Sequence, residues 1–269
     1  MAIAIDSALT SPSRNALPKE RRWGDKLKTK EGLPLLVMIP VRNEGERYLP
    51  FVLEKLSPLV SGIVILDDAS TDHTPDLCRA HPKVLRYQRL PEPLFLKNEA
   101  LFRSLLWRMT VELNPAWILA LDADELLESK AKKELPILIH RSPADLIRFP
   151  IYHFWGNLEY YRVDGLWNPF LYPAACLYRY KKDRVYHWAE RRLHCGRFPV
   201  EAYQGQSFTA KLRMMHLGYA DRKAPQKKFH RYLQTDPTGE FCPVEHYQSI
   251  LAPHPELKKW TGERLEVSL

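Results

Sequence analysis

Two phosphate-binding glycine loops are missing from this sequence. Neither G-x-G-x-x-G nor G-x-x-x-x-G-K-[ST] occurs, so Rossmann-type dinucleotide binding and P-loop chemistry have no support. Cysteine is scarce: Cys78, Cys176, Cys195 and Cys242 stand far apart with no C-x-x-C pair, which argues against a disulfide framework or a zinc ribbon and leads us to expect a reducing cytoplasm. No run approaches the roughly 18 apolar residues of a membrane span. The short apolar run Met1 to Ile5, cut off by Asp6, reads as neither signal peptide nor anchor. Helix-turn-helix, zinc-finger and RNA-binding signatures are also lacking, and nucleic acid is not an expected partner.

What is present favours one large α/β domain. The 269 residues are 45% hydrophobic, enough for a sizeable core, and the formal charge of +8 favours anionic partners. The basic residues lie in short groups, Lys19 to Arg22, Lys130 to Lys133, Arg191-Arg192 and Lys227-Lys228, which read mainly as solvated faces. Residues 1–30 are polar and without period, the composition of a flexible arm.

From Leu33 onward, strands and helices alternate. Apolar runs at 35–39, 63–66, 84–87 and 117–121 predict buried strands. Leu49, Val52, Leu53 and Leu56 at i, i+3, i+4 and i+7 predict a helix, with Pro50 in its first turn. Thr74-Pro75 reads as the N-cap and first turn of a second helix, and a third is expected near 97–113. Such alternation implies a mostly parallel sheet with right-handed crossovers. Three strand ends then carry polar clusters to one edge: Arg42-Asn43-Glu44, Asp67-Asp68, and Asp122 with Asp124. Ligands of open parallel sheets bind beyond the carboxyl ends of the strands, and carboxylates at i and i+2 suit Mg²⁺ or Mn²⁺ facing a diphosphate. A single strand ending in a solvated acidic turn would read the same way, so the argument rests on the convergence of three.

These pieces resemble the nucleotide-sugar glycosyltransferases of the GT-A fold, family 2. The resemblance is carried by Ile39-Pro40-Val41-Arg42-Asn43-Glu44, Leu66-Asp67-Asp68-Ala69-Ser70-Thr71-Asp72 and Leu121-Asp122-Ala123-Asp124-Glu125. Downstream, Met215-His216-Leu217-Gly218-Tyr219 with Lys227 and Arg231-Tyr232 is similar to the tail of members whose metal motif also reads D-A-D-E. The resemblance implies a three-layer α/β/α sandwich with a mostly parallel central sheet. It divides residues 31–235 into a nucleotide-sugar half at 31–125 and an acceptor half at 126–220, followed by a C-terminal tail at 236–269.

It also implies sugar transfer from a nucleoside diphosphate sugar to an acceptor hydroxyl, usually with inversion, assisted by Mn²⁺ or Mg²⁺. Asp68 would face the base, and the loop Pro40, Val41, Arg42, Asn43 and Glu44 would lie beside the nucleoside, with Asp67, Ser70, Lys97, Asp122 and Ala123 completing the donor site. Asp122, Asp124 and His216 would hold the metal. Glu190 is the preferred base, ahead of Asp164 and Glu159. Some relatives carry a His-Glu pair where this chain reads His194-Cys195. Among the aromatics between Tyr152 and Trp188, Trp155 and Trp167 are expected to meet the acceptor or form a lid. The other readings are a non-catalytic nucleotide-sugar-binding protein and a phosphatase or nucleotidyltransferase using the same acidic strand ends; Lys227 leaves a peripheral membrane contact open.

Overall fold

The computed structural model describes residues 33–221 and 224–267, so the arm expected at 1–30 lies outside the described residues. Among the described residues, twelve strands form two sheets. The strands are β1 Leu33–Val41, β2 Gly62–Asp67, β3 Val84–Arg89, β4 Pro115–Ala120, β5 Glu125–Leu127, β6 Leu146–Phe149, β7 Ile151–Trp155, β8 Tyr160–Arg162, β9 Ala174–Arg179, β10 Ser207–Thr209, β11 Met214–Tyr219 and β12 Leu257–Lys259. The larger sheet runs β10-β6-β9-β4-β1-β2-β3 and the smaller β12-β8-β7-β11-β5.

In the larger sheet β4, β1, β2 and β3 are parallel neighbours, and β9 runs antiparallel between β4 and β6. The central strands are buried along nearly their whole length because both faces are covered; every residue of β2 is buried. On one face lies α1 Leu49–Leu56, whose Leu49, Val52, Leu53 and Leu56 join a core with Ile39, Ile65 and Leu119. On the other lies α3 Glu99–Val111, whose Phe102, Leu106 and Met109 pack with Met38, Val64 and Ile118. Asn98 starts α3, its side-chain oxygen accepting the Leu101 N–H at 2.9 Å. The remaining helices are α2 Thr74–Ala80, α4 Ala131–Arg141, α5 Ala224–Thr235 and α6 Val244–Ser249.

One expectation shifts. Thr74 is the first residue of α2 rather than its cap, because its hydroxyl is taken by the Glu44 N–H at 2.8 Å. β6, β9 and β10, from residues 126–220, complete the larger sheet. The C-terminal segment, residues 236–267, packs onto the domain. There β12 pairs with β8, and Trp260 packs on Tyr152 and Phe154 with the Arg213 guanidinium 3.9 Å from its ring centroid, burying an aromatic surface that a solvated tail would expose.

The acidic segment at 122–124 occupies the junction between sheets. Chain leaving β4 in the larger sheet passes through Asp122-Ala123-Asp124 and enters β5 in the smaller one. There β5 pairs antiparallel with β11, setting His216 opposite Glu125, while β7 on the other side of β11 sets His153 opposite His216.

Candidate active site

The carboxyl ends of β1, β2 and β4 open onto a cavity of about 660 Å³. Its wall includes Pro40, Val41, Arg42, Asn43 and Glu44 after β1, Asp68 after β2, and Asp122, Ala123 and Asp124 after β4. His216 on β11 and Lys228 and Arg231 on α5 reach it from the other sheet and the C-terminal segment.

Each strand end is braced by a neighbour. The Asn43 N–H donates to Ser70 Oγ at 2.9 Å, the Thr71 N–H returns to Asn43 Oδ1 at 2.7 Å, and Asn43 adopts a positive φ of 52° that asparagine tolerates well. Asp68 Oδ1 accepts the N–H groups of Leu94 and Phe95 at 2.5 and 3.0 Å, tying the loop before α3 to the cavity wall. Its Oδ2 makes only a 3.4 Å contact with Arg42.

Buried charge concentrates on the third strand end. Glu125, 1% exposed, forms a two-pronged pair with Arg197 at 2.5 and 2.6 Å and accepts the Asp122 N–H at 2.9 Å. Asp122 lies 3.7 Å from Arg103 and 3.7 Å from Arg197, and its Oδ1 is buried without a hydrogen-bond partner. Burial opposes its ionisation, but the Arg197 and Arg103 guanidiniums outweigh that and hold its carboxyl below the usual range. Asp124 lies 3.5 Å from His216 Nε2 and 3.4 Å from Lys228 Nζ. Burial again opposes its ionisation, and His216, Lys228 and Arg47 together hold its carboxyl well below the ordinary value.

His216 and His153 share a 3.0 Å contact between their Nδ1 atoms. Burial lowers the pKa of both rings, and His216 Nε2 lies on the Asp124 side of the pair. Gly218 lies under this cluster. A Cβ there would fall 2.1 Å from Lys228 Nζ and 2.2 Å from Asp124 Oδ2, so a side chain at this position would push both charged groups out of place.

The donor set suits a hard divalent cation: two carboxylates held ionised, one with a buried oxygen free of hydrogen bonds. Among the described residues no three His, Cys, Asp or Glu side chains form a ready-made metal cluster. Such an ion would complete its shell with water and phosphate oxygens, the usual habit of Mg²⁺.

The glycosyl transferase family 2 model matches residues 36–194, a span reaching from β1 through β9 and including all three acidic strand ends. The chain belongs to glycosyl transferase family 2. Curated relatives include uncharacterized proteins of Mycobacterium tuberculosis (Rv3786c) and Mycobacterium bovis (Mb3815c), each 26% identical over 223 residues, 77% of this chain and 52% of their own length. The chain thus spans about half the length of the curated relatives it matches. Among solved structures, S. aureus TarS 1–349 in complex with UDP-GlcNAc is 15% identical with a TM-score of 0.52, over 82% of this chain and 71% of that one. That likeness establishes the GT-A fold.

Not every residue singled out in this family 2 sequence reaches the cavity. Asp67 is fully buried and turned to structural work, accepting the Ser70 N–H at 2.7 Å and the Tyr87 hydroxyl at 2.7 Å. Ser70 supports Asn43 from behind the wall. Lys97 is exposed, 3.6 Å from Glu92. None of the three base candidates lines the cavity: Asp164 is held by Arg162 at 2.5 Å and by the Glu256 N–H at 2.9 Å, and Glu190 and Glu159 are exposed. Trp155 and Trp167 are packing residues, buried against Tyr219 with centroids 4.8 and 5.1 Å away, because their apolar faces are worth more in the core.

The sequence reading missed Arg103, Arg197, Lys228 and His153. Of the two adjacent lysines, Lys227 is exposed, whereas Lys228 reaches Asp124.

Glu44 yields a pH prediction. Burial pushes its carboxyl up from 4.5 to about 7, Arg47 opposing and Asp124 adding to the rise, and its Oε2 is a buried oxygen without a hydrogen-bond partner. Between these two values the folded chain holds a proton that the unfolded chain releases, so this group's contribution to stability falls as pH rises through that window. In metal-free buffer, Glu44→Gln is expected to be about 1–3 kcal/mol more stable than the parent above pH 7, with the difference vanishing near pH 4. Urea unfolding at both pH values checks it; equal gains at both would show that Glu44 titrates alike in the folded and the unfolded chain.

Proposed function

We propose that this family 2 chain transfers a sugar from a nucleoside diphosphate sugar to an acceptor hydroxyl, with inversion, using Mn²⁺ or Mg²⁺. The observation that carries the reading is the meeting, in one cavity, of the loop at 40–44, Asp68, and the ionised pair Asp122 and Asp124 with the cations Arg103, Lys228 and Arg231.

In this reading the loop at 40–44 flanks the nucleoside, and Asp68 Oδ2 accepts an N–H of the base. Asp122 and Asp124, with His216 beside them, would hold the divalent cation, which when bound stabilises charge developing on the departing diphosphate. Lys228 and Arg231 add fixed positive charge where that diphosphate would lie. The pair of Glu125 with Arg197 keeps the acidic segment in place, so little reorganisation is needed as charge develops.

A thermal-shift panel of nucleoside diphosphates and their sugars, with and without Mn²⁺, tests this. A ligand at 100 times its Kd stabilises by about 2.7 kcal/mol, roughly 5 °C or more for a chain of this size. One nucleotide is expected to stand out, and only with metal. No shift with any of them would overturn the reading, and tight binding without turnover on any acceptor would favour the non-catalytic alternative.

A further inference from the structure

With Glu190 and Asp164 away from the cavity, the group that takes the acceptor's proton must be sought elsewhere. Of the three carboxylates on the wall besides Asp122 and Asp124, two are bound to other groups and the third, Glu44, lies on the donor's side. Asp68 holds two backbone N–H groups, Glu99 is bound to Arg103 at 2.6 Å, and Glu44 is paired with Arg47 at 2.7 Å in the loop that the donor would occupy.

His194 is different. It lines the same cavity with an exposed ring, and its backbone sits at φ +54°, a conformation uncommon for histidine and costly unless its surroundings impose it. What imposes it is the Glu99 carboxylate, which accepts the His194 N–H at 2.6 Å and also binds Arg103, itself 3.7 Å from Asp122. The backbone of His194 is thereby tied to the acidic segment through two buried side chains.

The ring is tied in the opposite direction. His194 Nε2 lies 3.3 Å from the Tyr247 hydroxyl, which lies 2.9 Å from Asp236 Oδ2. Asp236 is buried and receives the N–H groups of Glu240, Phe241 and Cys242, so it is an anion able only to accept. Tyr247 must then donate to Asp236 and accept from His194 Nε2–H. That order sets the tautomer, leaving Nδ1 with the lone pair.

We infer that His194 is the general base of the transfer, with Tyr247 and Asp236 as positioning residues; the inference rests on the sugar-transfer reading. As the acceptor oxygen forms its bond to the anomeric carbon, its proton passes to His194 Nδ1 and the sugar–phosphate bond breaks with its electrons to the diphosphate. The imidazolium donates through Nε2 to Tyr247, backed by the Asp236 charge, and returns its proton to solvent from its exposed ring.

The test uses the full chain with Mn²⁺ and UDP-glucose or UDP-GlcNAc, water serving as acceptor and released UDP as readout. His194→Asn accepts the positive φ but has no basic nitrogen. It is expected to release UDP about 100- to 1000-fold more slowly while its melting-temperature shift with UDP and Mn²⁺ is unchanged. His194→Gly leaves room for free imidazole, which is expected to restore part of the rate. Tyr247→Phe should lower kcat about tenfold with KM for the UDP-sugar unchanged. Full activity in His194→Asn, loss of its UDP binding, or failure of imidazole to restore His194→Gly while Glu44→Gln is the inactive variant would each overturn the assignment. A parent chain that binds no nucleoside diphosphate removes the sugar-transfer reading and this inference together, an outcome distinct from the others.

Discussion

Asp124→Asn is expected to lower sugar transfer by roughly 100- to 1000-fold at saturating donor in a chain that still folds, with a lower melting temperature because Lys228 loses its buried counter-charge. The physical reason is that the substitution removes charge and little else. Asn keeps the shape of the side chain, and the backbone contact from the Leu217 N–H to the Asp124 carbonyl at 2.9 Å is untouched. Three cations, His216 when protonated, Lys228 and Arg47, favour the ionised form of this buried carboxyl, so across working pH the parent presents a full negative charge at the cavity. A neutral amide weakens attraction for a divalent ion and also for the Lys228 and Arg47 charges beside it. Kinetics at varied Mn²⁺ should show both a lower kcat and a higher metal requirement. Full activity at ordinary metal concentration would end the case for Asp124 as a ligand.

Arg197→Met is expected to be the more damaging change to the fold. It removes both prongs from Glu125 and a 3.1 Å contact with the Ala120 carbonyl, leaving a carboxylate that is 1% exposed with no counter-charge of its own. Stranding one partner of a buried pair costs about 3–5 kcal/mol, which for a chain of this size lowers the melting temperature by roughly 10 °C. The companion variant separates pairing from packing. Replacing both members, Arg197→Met with Glu125→Leu, is expected to recover most of the lost stability, because an apolar pair of similar volume avoids the desolvation of two charges. It should not recover transfer, since the Glu125 carboxylate also receives the Asp122 N–H and orients the acidic segment. If the double variant melts no higher than the single one, the pair contributes through shape rather than charge.

The legible parts of this molecule are those in which one physical requirement acts over a few neighbouring residues. A parallel strand covered on both faces must be apolar throughout, so β1, β2 and β4 stand out as short uniform runs, and the polar residues that end them mark the cavity. β3, at the sheet edge and half-exposed, is weaker in the sequence for the same reason. The smaller sheet is assembled from three- to six-residue strands drawn from between 125 and 259, too short for periodicity to register. That is how Trp260 was read as part of a tail.

The buried cations divide in the same way. Arg103 had a local signal: it lies four residues after Glu99 on the helix face that carries Phe102 and Leu106, a place where an unpaired charge is not tolerated. Arg197 had none, being in an irregular segment 72 residues from its partner. His216 was noticed through the family resemblance, while its companion His153 becomes visible only when β7 and β11 are seen side by side.

The position of the acidic segment between the two sheets bears on how the chain acquires its site during folding. Asp122 takes its placement from β4 and Asp124 from β5, and their flanking charges come from α3, the segment around Arg197, β11 and α5. A chain in which the parallel sheet has formed but the smaller sheet has not docked would hold a nearly complete nucleotide wall and no assembled carboxylate pair. Refolding should therefore pass through a stage with native-like far-ultraviolet signal and little recovered nucleotide–metal binding, the latter returning only with the slowest, sheet-docking phase.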